Sequence, residues 1–325
     1  MTQSIYFSGL NPSQDMKDSD PTSLAGEAKK LGFEVVSTFA ESPQNVICVD
    51  WNSSDRRFKR WLQKNTEIAT LVINEPYVVI PEHSKIKLRR LFKSVVEVGR
   101  PYSRPVVPWP QTWTPKPESQ GAKFSDRAVL IQSAKYSFVR GQLYGLRIRL
   151  ASSEKRIDVF GHGWDESPWR TIARLTVELA RAVRATAKLD FSTVKTAFKR
   201  PINYLGSVES KMVGMSKYKV AIVIENSQEY MSEKLFDAFF ARCIPVYVGA
   251  ELAPFGIPES LYVKADPNQK SISEAMALAL KMDYHSWRSQ VDEFLDNPET
   301  INKWDGKKAN KRILEIALGL EVQGA

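Results

Sequence analysis

Glu225, Asn226, Ser227, Tyr230, Ser232, Glu233 and Lys234 crowd the polar interval 225–234 between two apolar runs. Carboxylate, amide, hydroxyl and amine in such company suit recognition of a nucleotide. The run before the interval, Val220 to Ile224, is short, β-branched and unalternated, the pattern of a parallel strand covered on both faces. Ile244 to Val248 repeats that pattern. Between them Leu235, Phe236, Ala238, Phe239 and Phe240 predict a helix too apolar for the surface, with Ser232 as its N-cap. A right-handed crossover between parallel strands puts the loop and the helix start at the carboxyl edge of the sheet. There, unpaired N–H groups and the helix dipole would meet a phosphate and Lys234 would add a full charge. Glu233 would accept hydrogen bonds from both hydroxyls of a ribose. Local sequence allows a plainer role equally well, with Glu233 complementing the dipole and Lys234 solvated.

The spacing of Glu225-Asn226-Ser227, of Tyr230-Met231-Ser232-Glu233-Lys234-Leu235-Phe236-Asp237-Ala238, and of Ile244-Pro245-Val246 with Gly249 resembles the donor-binding signature of the α1,3-fucosyltransferases. Ile257-Pro258-Glu259-Ser260-Leu261-Tyr262-Val263 continues it. Ile224, Met231 and Ser232 stand where that family usually carries Phe, Val and Thr, each keeping the chemical character. Upstream, Val129 to Lys135, then Arg140, and later Ile157-Asp158-Val159-Phe160-Gly161-His162-Gly163 look like the start of the same domain. The resemblance implies that Arg140 meets the donor diphosphate, with Lys135 on the donor side too. Gly161 and Gly163 mark a loop near the site more safely than a contact. Arg140 as simply one more solvated cation is the plainer alternative.

The N-terminal half resembles the family less. Ala69 to Pro76 reads as a buried strand ended by a carboxylate, and Arg104-Pro105-Val106-Val107-Pro108-Trp109 resembles the segment closing the family's acceptor domain. Glu75 therefore falls where the family carries its catalytic base; a strand-end carboxylate facing solvent is the alternative. Asp165 and Glu166, just before the Ser167-Pro168 helix start, read as capping charges.

At 325 residues the chain exceeds most single cores, and strands alternate with helices in both halves, so two domains with parallel sheets are expected. The resemblance makes these the GT-B architecture, two Rossmann-like domains facing a cleft. The division is 1–114 for the acceptor side, 115–127 for a linker, 128–305 for the donor side, and 306–325 for a terminal helix crossing back to the first domain. Prolines concentrated across 101–126 make that tract a stiff connection. The helices expected include 54–64, 85–93, 168–189 and 284–296. Trp109 and Trp113 are expected to pack at the interdomain seam rather than stack on a sugar, and the loop Gly9 to Thr22 to shape the acceptor site.

Composition narrows the class. A hydrophobic content of 43% is ordinary for a globular chain, and no run approaches the roughly 18 apolar residues of a membrane span. The start MTQSIYFSGL lacks the basic-then-apolar order of a signal peptide, so a cytoplasmic chain without an anchor is expected. Cys48 and Cys243 are expected to be buried thiols in a reducing compartment. His83, His162 and His285 lack the spacing of a zinc site, so no metal site is expected. The net charge of +9 is scattered over separate helices, which argues against nucleic acid and leaves open a peripheral contact with an anionic membrane surface. No oligomeric state is read from these residues.

The resemblance implies an inverting transfer of L-fucose from GDP-fucose to a glycan hydroxyl. Arg140, Lys234 and the helix start would steady the leaving diphosphate, Glu233, Asn226 and Tyr230 would hold the ribose and sugar, and Glu75 would take the acceptor's proton. Cationic side chains replace an obligatory metal, with Mn²⁺ or Mg²⁺ at most stimulatory. The alternatives are a GT-B enzyme using another nucleotide sugar, or a non-catalytic protein binding nucleotide sugars or polyanions.

Overall fold

The computed structural model describes residues 2–9, 23–51, 54–113, 124–185 and 187–320. The chain divides into two compact units, one of residues 1–113 with 298–325 and one of residues 114–297.

The first unit runs β1 (Ser4–Gly9), α1 (Leu24–Lys30), β2 (Glu34–Val36), β3 (Asn45–Val49), α2 (Arg56–Leu62), β4 (Ala69–Ile73), α3 (Ile86–Arg89) and β5 (Ser94–Glu97). Its strands are all parallel, in the order β2-β1-β3-β4-β5. One face of the sheet is covered by a core containing Ile5, Phe7, Leu24, Val72 and Val107, the other by Trp51, Phe58, Leu62, Leu71 and Phe92. Burial on both faces is why these strands show no alternation.

The second unit continues with β6 (Ser125–Ile131), α4 (Tyr144–Ala151), β7 (Ile157–Phe160), α5 (Pro168–Arg184), α6 (Ser192–Ala197), α7 (Lys211–Met215) and β8 (Tyr218–Ile224). It then runs through α8 (Lys234–Phe240), β9 (Ile244–Val248), β10 (Val263–Lys264), α9 (Gln269–Lys281) and α10 (Tyr284–Asp296). This sheet is also parallel, in the order β10-β9-β8-β6-β7. Each sheet thus has its first strand second from one edge, so the chain moves outward one way and then returns to build the other way. Such a reversal opens a crevice beyond the carboxyl ends of the two strands that flank it.

The chain then returns to the first unit as α11 (Pro298–Trp304) and α12 (Gly306–Leu318). Ile313 and Leu314 of α12 are buried in the first unit's core, each burial contributing about 2 kcal/mol, and the Thr70 hydroxyl donates to the Ala317 carbonyl at 2.8 Å. The return begins at Pro298, earlier than the expected boundary at 305. The proline tract differs as well. Val107 is in the first core, Trp109 packs against that core, and the Gln111 amide donates to the Trp304 carbonyl at 2.8 Å, so residues up to 113 are built into the first unit rather than linking it. Of the expected linker 115–127, residues 115–123 lie outside the described residues and Ser125 already begins β6. The expected acceptor loop after Gly9 lies outside them too.

Three helices are shorter than their patterns predict, the first being α2, which covers Arg56–Leu62 of the expected 54–64 because Asp55 caps it. The basic segment 85–93 forms only the single turn Ile86–Arg89, because the Leu91 and Phe92 amides tighten to the carbonyls three residues back and the Lys93 amide donates to the Ala69 carbonyl. Helix α5 starts as expected, with Ser167 capping and Pro168 first, but ends at Arg184 instead of Leu189. The residues beyond it pair elsewhere: Leu189 bridges Val139, and the Asp190 amide donates to the Phe138 carbonyl. Cys48 and Cys243 are buried free thiols, and burial pushes both thiol pKa values up.

Candidate functional site

Strands β6 and β8 are neighbours at the point where the second sheet reverses, so the loops that follow them share its carboxyl edge. Glu225 is the first residue past β8. Its amide still pairs with the sheet, donating to the Val248 carbonyl at 2.8 Å, and its side chain is 0% exposed. Space for that side chain comes from Gly249 at the end of β9, where a Cβ would lie 2.7 Å from Glu225 Cγ and 2.3 Å from the Tyr247 hydroxyl.

A buried carboxylate is tolerable only when it is paired and hydrogen-bonded. Here the chain folds back to supply every partner. The Ser232 amide donates to Glu225 Oε1 at 2.9 Å, the Ser232 hydroxyl donates to Oε2 at 2.7 Å, and Lys234 Nζ donates to Oε2 at 3.3 Å and to Ser232 Oγ at 2.6 Å. Glu225 therefore clamps the loop closed and holds Lys234. Ser232 is correspondingly not the helix N-cap: its hydroxyl is spent on Glu225, and Glu233 occupies the cap position in helical conformation without a capping bond. Helix α8 has seven residues, so its dipole is small beside the full charge of Lys234. Tyr230 and Met231, between the clamp's two ends, are buried.

Glu233 lies outside the clamp, partly exposed. Its carboxylate is 3.7 Å from Lys234 and 3.8 Å from Lys211, and Lys211 also pairs with Asp237 at 2.8 Å. Burial pushes the Glu233 carboxyl up, but the two lysines outweigh burial and hold it below its ordinary value. Asp237 goes the other way, raised by burial and by the neighbouring Glu233 charge despite its pairing with Lys211. Glu233 is thus an ionised acceptor open to an incoming hydroxyl. Lys211 was not singled out by the sequence, because a lysine on a five-residue helix carries no local mark of its partners.

The β6–α4 loop is tied to this one by buried bonds. Gln132 Nε2 donates to the Ile224 carbonyl at 2.8 Å, Arg147 Nη2 to the same carbonyl at 2.7 Å and to Asn226 Oδ1 at 2.9 Å, and the Leu143 amide to the Asn226 carbonyl at 3.0 Å. Asn226 joins the two loops, and Arg147, also missed from sequence, is the buried guanidinium that does so; burial lowers its pKa. Arg140 and Lys135 are exposed on the same loop. Among the described residues neither side chain has a partner, which leaves two free cations on the β6–α4 loop. Arg140 is placed by its backbone, its amide donating to the Lys188 carbonyl at 2.8 Å.

Gly161, at the end of β7, has φ +130°, and a Cβ there would fall 2.4 Å from the Gln132 carbonyl oxygen. It sets the distance between loops. Gly161→Ala is expected to cost roughly 2–3 kcal/mol of stability through that backbone clash, read as a lowered midpoint in thermal melting. Glu166, expected as a capping charge, pairs with Arg174 at 2.7 Å.

In the first unit, Glu75 follows the end of β4 and is half-buried. Its backbone is held from both sides. The Asn74 and Glu75 amides both donate to Asp50 Oδ1 at 2.9 Å, while His83 contacts the Glu75 carbonyl through Nδ1 at 2.9 Å. The Trp51 amide donates to His83 Nε2 at 3.0 Å, so Nε2 is the acceptor and Nδ1 carries the proton that it donates to Glu75. Burial leaves His83 neutral, with its pKa lowered to about 4. Unfolded, the same imidazole titrates near 6.5, so between these values only the unfolded chain holds the proton and stability falls as the pH falls. The expected loss is about 3 kcal/mol between pH 7 and pH 4. His83→Gln, which cannot titrate, should flatten that part of the pH–stability curve in denaturant unfolding. Among the described residues no group of three or more His, Cys, Asp or Glu is placed to hold a metal ion.

Two parallel five-stranded sheets, each reversing beside its first strand, with the terminal helices returning to the first unit, make the GT-B glycosyltransferase fold. The chain is similar throughout to a solved α1,3-fucosyltransferase, with a TM-score of 0.55 at 13% identity over 99% of this chain and 92% of that one. It is also similar to the T4 phage BGT solved in complex with its UDP-glucose substrate, with a TM-score of 0.51 at 12% identity over 98% of this chain and 100% of that one. In sequence it is 31% identical to the α-(1,3)-fucosyltransferase FucT of Helicobacter pylori over 108 residues, which are 32% of this chain and 22% of that protein. No family model matches. The fucosyltransferase resemblance read from the residues thus recurs in both sequence and structure comparisons.

Proposed function

We propose that the chain is a glycosyltransferase that moves L-fucose from GDP-fucose to a glycan hydroxyl in one inverting displacement. The observation that carries this reading is the Glu225–Ser232–Lys234 clamp, which fixes a cation at the sheet's switch point beside an ionised, accessible Glu233. Lys234 has spent two of its three N–H donors on Ser232 and Glu225, and the third meets a diphosphate oxygen. Arg140 and Lys135 close on the same diphosphate from the neighbouring loop. Glu233 accepts from the ribose hydroxyls, and Asn226 and Tyr230 shape the loop around the sugar.

In the reaction the acceptor oxygen attacks the anomeric carbon as the bond to the diphosphate breaks. Its proton passes to the Glu75 carboxylate, and GDP leaves with its developing charge met by preorganised cations. These cations perform the charge neutralisation that a divalent ion performs elsewhere, so chelator should leave turnover in place. A second donor remains in view because the phosphate and ribose contacts do not choose the base, and the phage relative of the same fold was solved with UDP-glucose.

The test is release of GDP from GDP-fucose in the presence of galactose- and N-acetylglucosamine-terminated acceptors. Acceptor-dependent release supports the proposal. Turnover of a UDP-sugar with GDP-fucose inert would replace the donor, and binding without turnover of any nucleotide sugar would make the protein a non-catalytic binder.

A further inference from the structure

Helix α5 turns its apolar side outward. Thr171, Leu175 and Ala182 are its buried residues, yet Trp169, Ile172, Ala173, Thr176, Ala180 and Val183 follow one another at spacings of one to four along the opposite side and are all exposed. Trp169 is 80% exposed and Val177, at the edge of this stripe, 64%. The chain that leaves α5 continues in kind: Phe191 and Phe198 flank α6 and are 57% and 48% exposed. Single exposed hydrophobics are ordinary, but an apolar helix stripe followed in the chain by two more exposed aromatic rings is the mark of a binding surface.

The charge around it says what binds. Residues 168–200 carry eight lysines and arginines against two acids, Glu178 and Asp190. Glu178 is already taken by Arg181. Among the described residues Arg170, Arg184, Lys188, Lys195 and Lys199 have no carboxylate partner. A two-fold contact with another copy of this face would set these cations against themselves. A nucleic-acid backbone would use the cations and leave the Trp169–Val183 stripe in water. An aliphatic and aromatic stripe bordered by arginines matches an anionic lipid surface, where the rings enter the headgroup region and the cations stay at the phosphates. Among the described residues no helix is long and apolar enough to cross a membrane, so this contact lies in the plane of the surface.

We propose that the exposed face of α5, with Phe191 and Phe198, is a docking surface for an anionic lipid bilayer. The same segment reaches the candidate donor site. Arg140 N–H is bonded to the Lys188 carbonyl and Val139 bridges Leu189, so docking sets the Arg140 loop next to the lipid. The docking surface itself does not depend on which nucleotide sugar is used.

The experiment is co-sedimentation of the full chain with phosphatidylcholine vesicles, with and without phosphatidylglycerol, across a range of salt. Binding is expected to require phosphatidylglycerol and to weaken with salt. Trp169→Ser combined with Val177→Ser is expected to lower the partition coefficient at least about tenfold, from the apolar area withdrawn. Lys195→Glu with Lys199→Glu should lower it by a similar factor through charge. Both pairs are on the surface, and circular dichroism melts checks that they fold as the parent does. No binding to phosphatidylglycerol vesicles, or equal binding by the Trp169→Ser, Val177→Ser pair, overturns the proposal. So does a concentration-dependent dimer that this pair abolishes, or duplex DNA binding that displaces the vesicles and survives the pair.

Discussion

Lys234→Ala is expected to be the most damaging single change in the second unit, because it strikes folding and chemistry together. Glu225 is fully buried, and Lys234 is the cation that compensates it. Removing one partner of a buried pair leaves an uncompensated charge and typically costs about 3–5 kcal/mol, here at the lower end because both Ser232 donors remain. On the proposed function a donor diphosphate would lose its fixed cation as well, an expected effect of about 10²–10³-fold on kcat/KM when a preorganised donor is removed from a leaving group's charge. Thermal melting reads the first effect and steady-state transfer the second. A variant that melts like the parent would mean that Glu225 does not depend on Lys234. Glu225→Gln separates the two effects, since it lightens the buried charge while leaving Lys234 in the protein; its loss of activity should be smaller.

Glu75→Gln is expected to act chiefly through chemistry, since it keeps the size and shape of the side chain. The Glu75 backbone is held by Asp50 and His83 through its own amide and carbonyl, neither of which the side-chain change touches. The melting temperature should therefore move far less than kcat, which falls about 10²–10⁴-fold, the usual range for a lost general base. Wild-type transfer rates in this variant would place the base elsewhere. Asp50 and His83 hold the Glu75 backbone, so replacing them should move stability and activity together.

Much of the fold was legible because buried parallel strands leave a plain trace. Val220 to Ile224 and Ile244 to Val248 have no alternation, and the structure buries both strands in the second sheet. Helix α10 begins and ends at the residues its pattern marks, Tyr284 and Asp296, since Asp283 caps it locally. Where prediction failed, a distant partner outweighed a local preference. Ser232 has good N-cap chemistry, but a buried carboxylate seven residues earlier claims its hydroxyl. Leu189 continues a helical pattern, but Val139 draws it into a bridge. The prolines between 101 and 113 predict a tether, but Val107 finds a place in a core that the sequence alone does not outline.

The candidate site divides along the same line. Glu225, Asn226, Ser232, Glu233 and Lys234 were found because their spacing is continuous in sequence, and the structure gathers them in one loop. Their supporting cations, Arg147 and Lys211, were missed because each is contributed by a helix far away in the chain. Position also reassigned roles. Glu225 and Asn226, read as ligand contacts, have their carboxylate and carbonyl oxygens committed to the protein, whereas Glu233, Arg140 and Lys135 are the groups left accessible.

The central claim is that the second unit's switch-point loops hold a guanosine diphosphate sugar, and thermal stabilisation by nucleotide tests it most directly. GDP at about one hundred times its dissociation constant should add about 2.7 kcal/mol, a rise in midpoint of several degrees for a chain of this size, with UDP giving little and Lys234→Ala abolishing the GDP response. Stabilisation by UDP and none by GDP, or an undiminished GDP response in Lys234→Ala, would contradict the account.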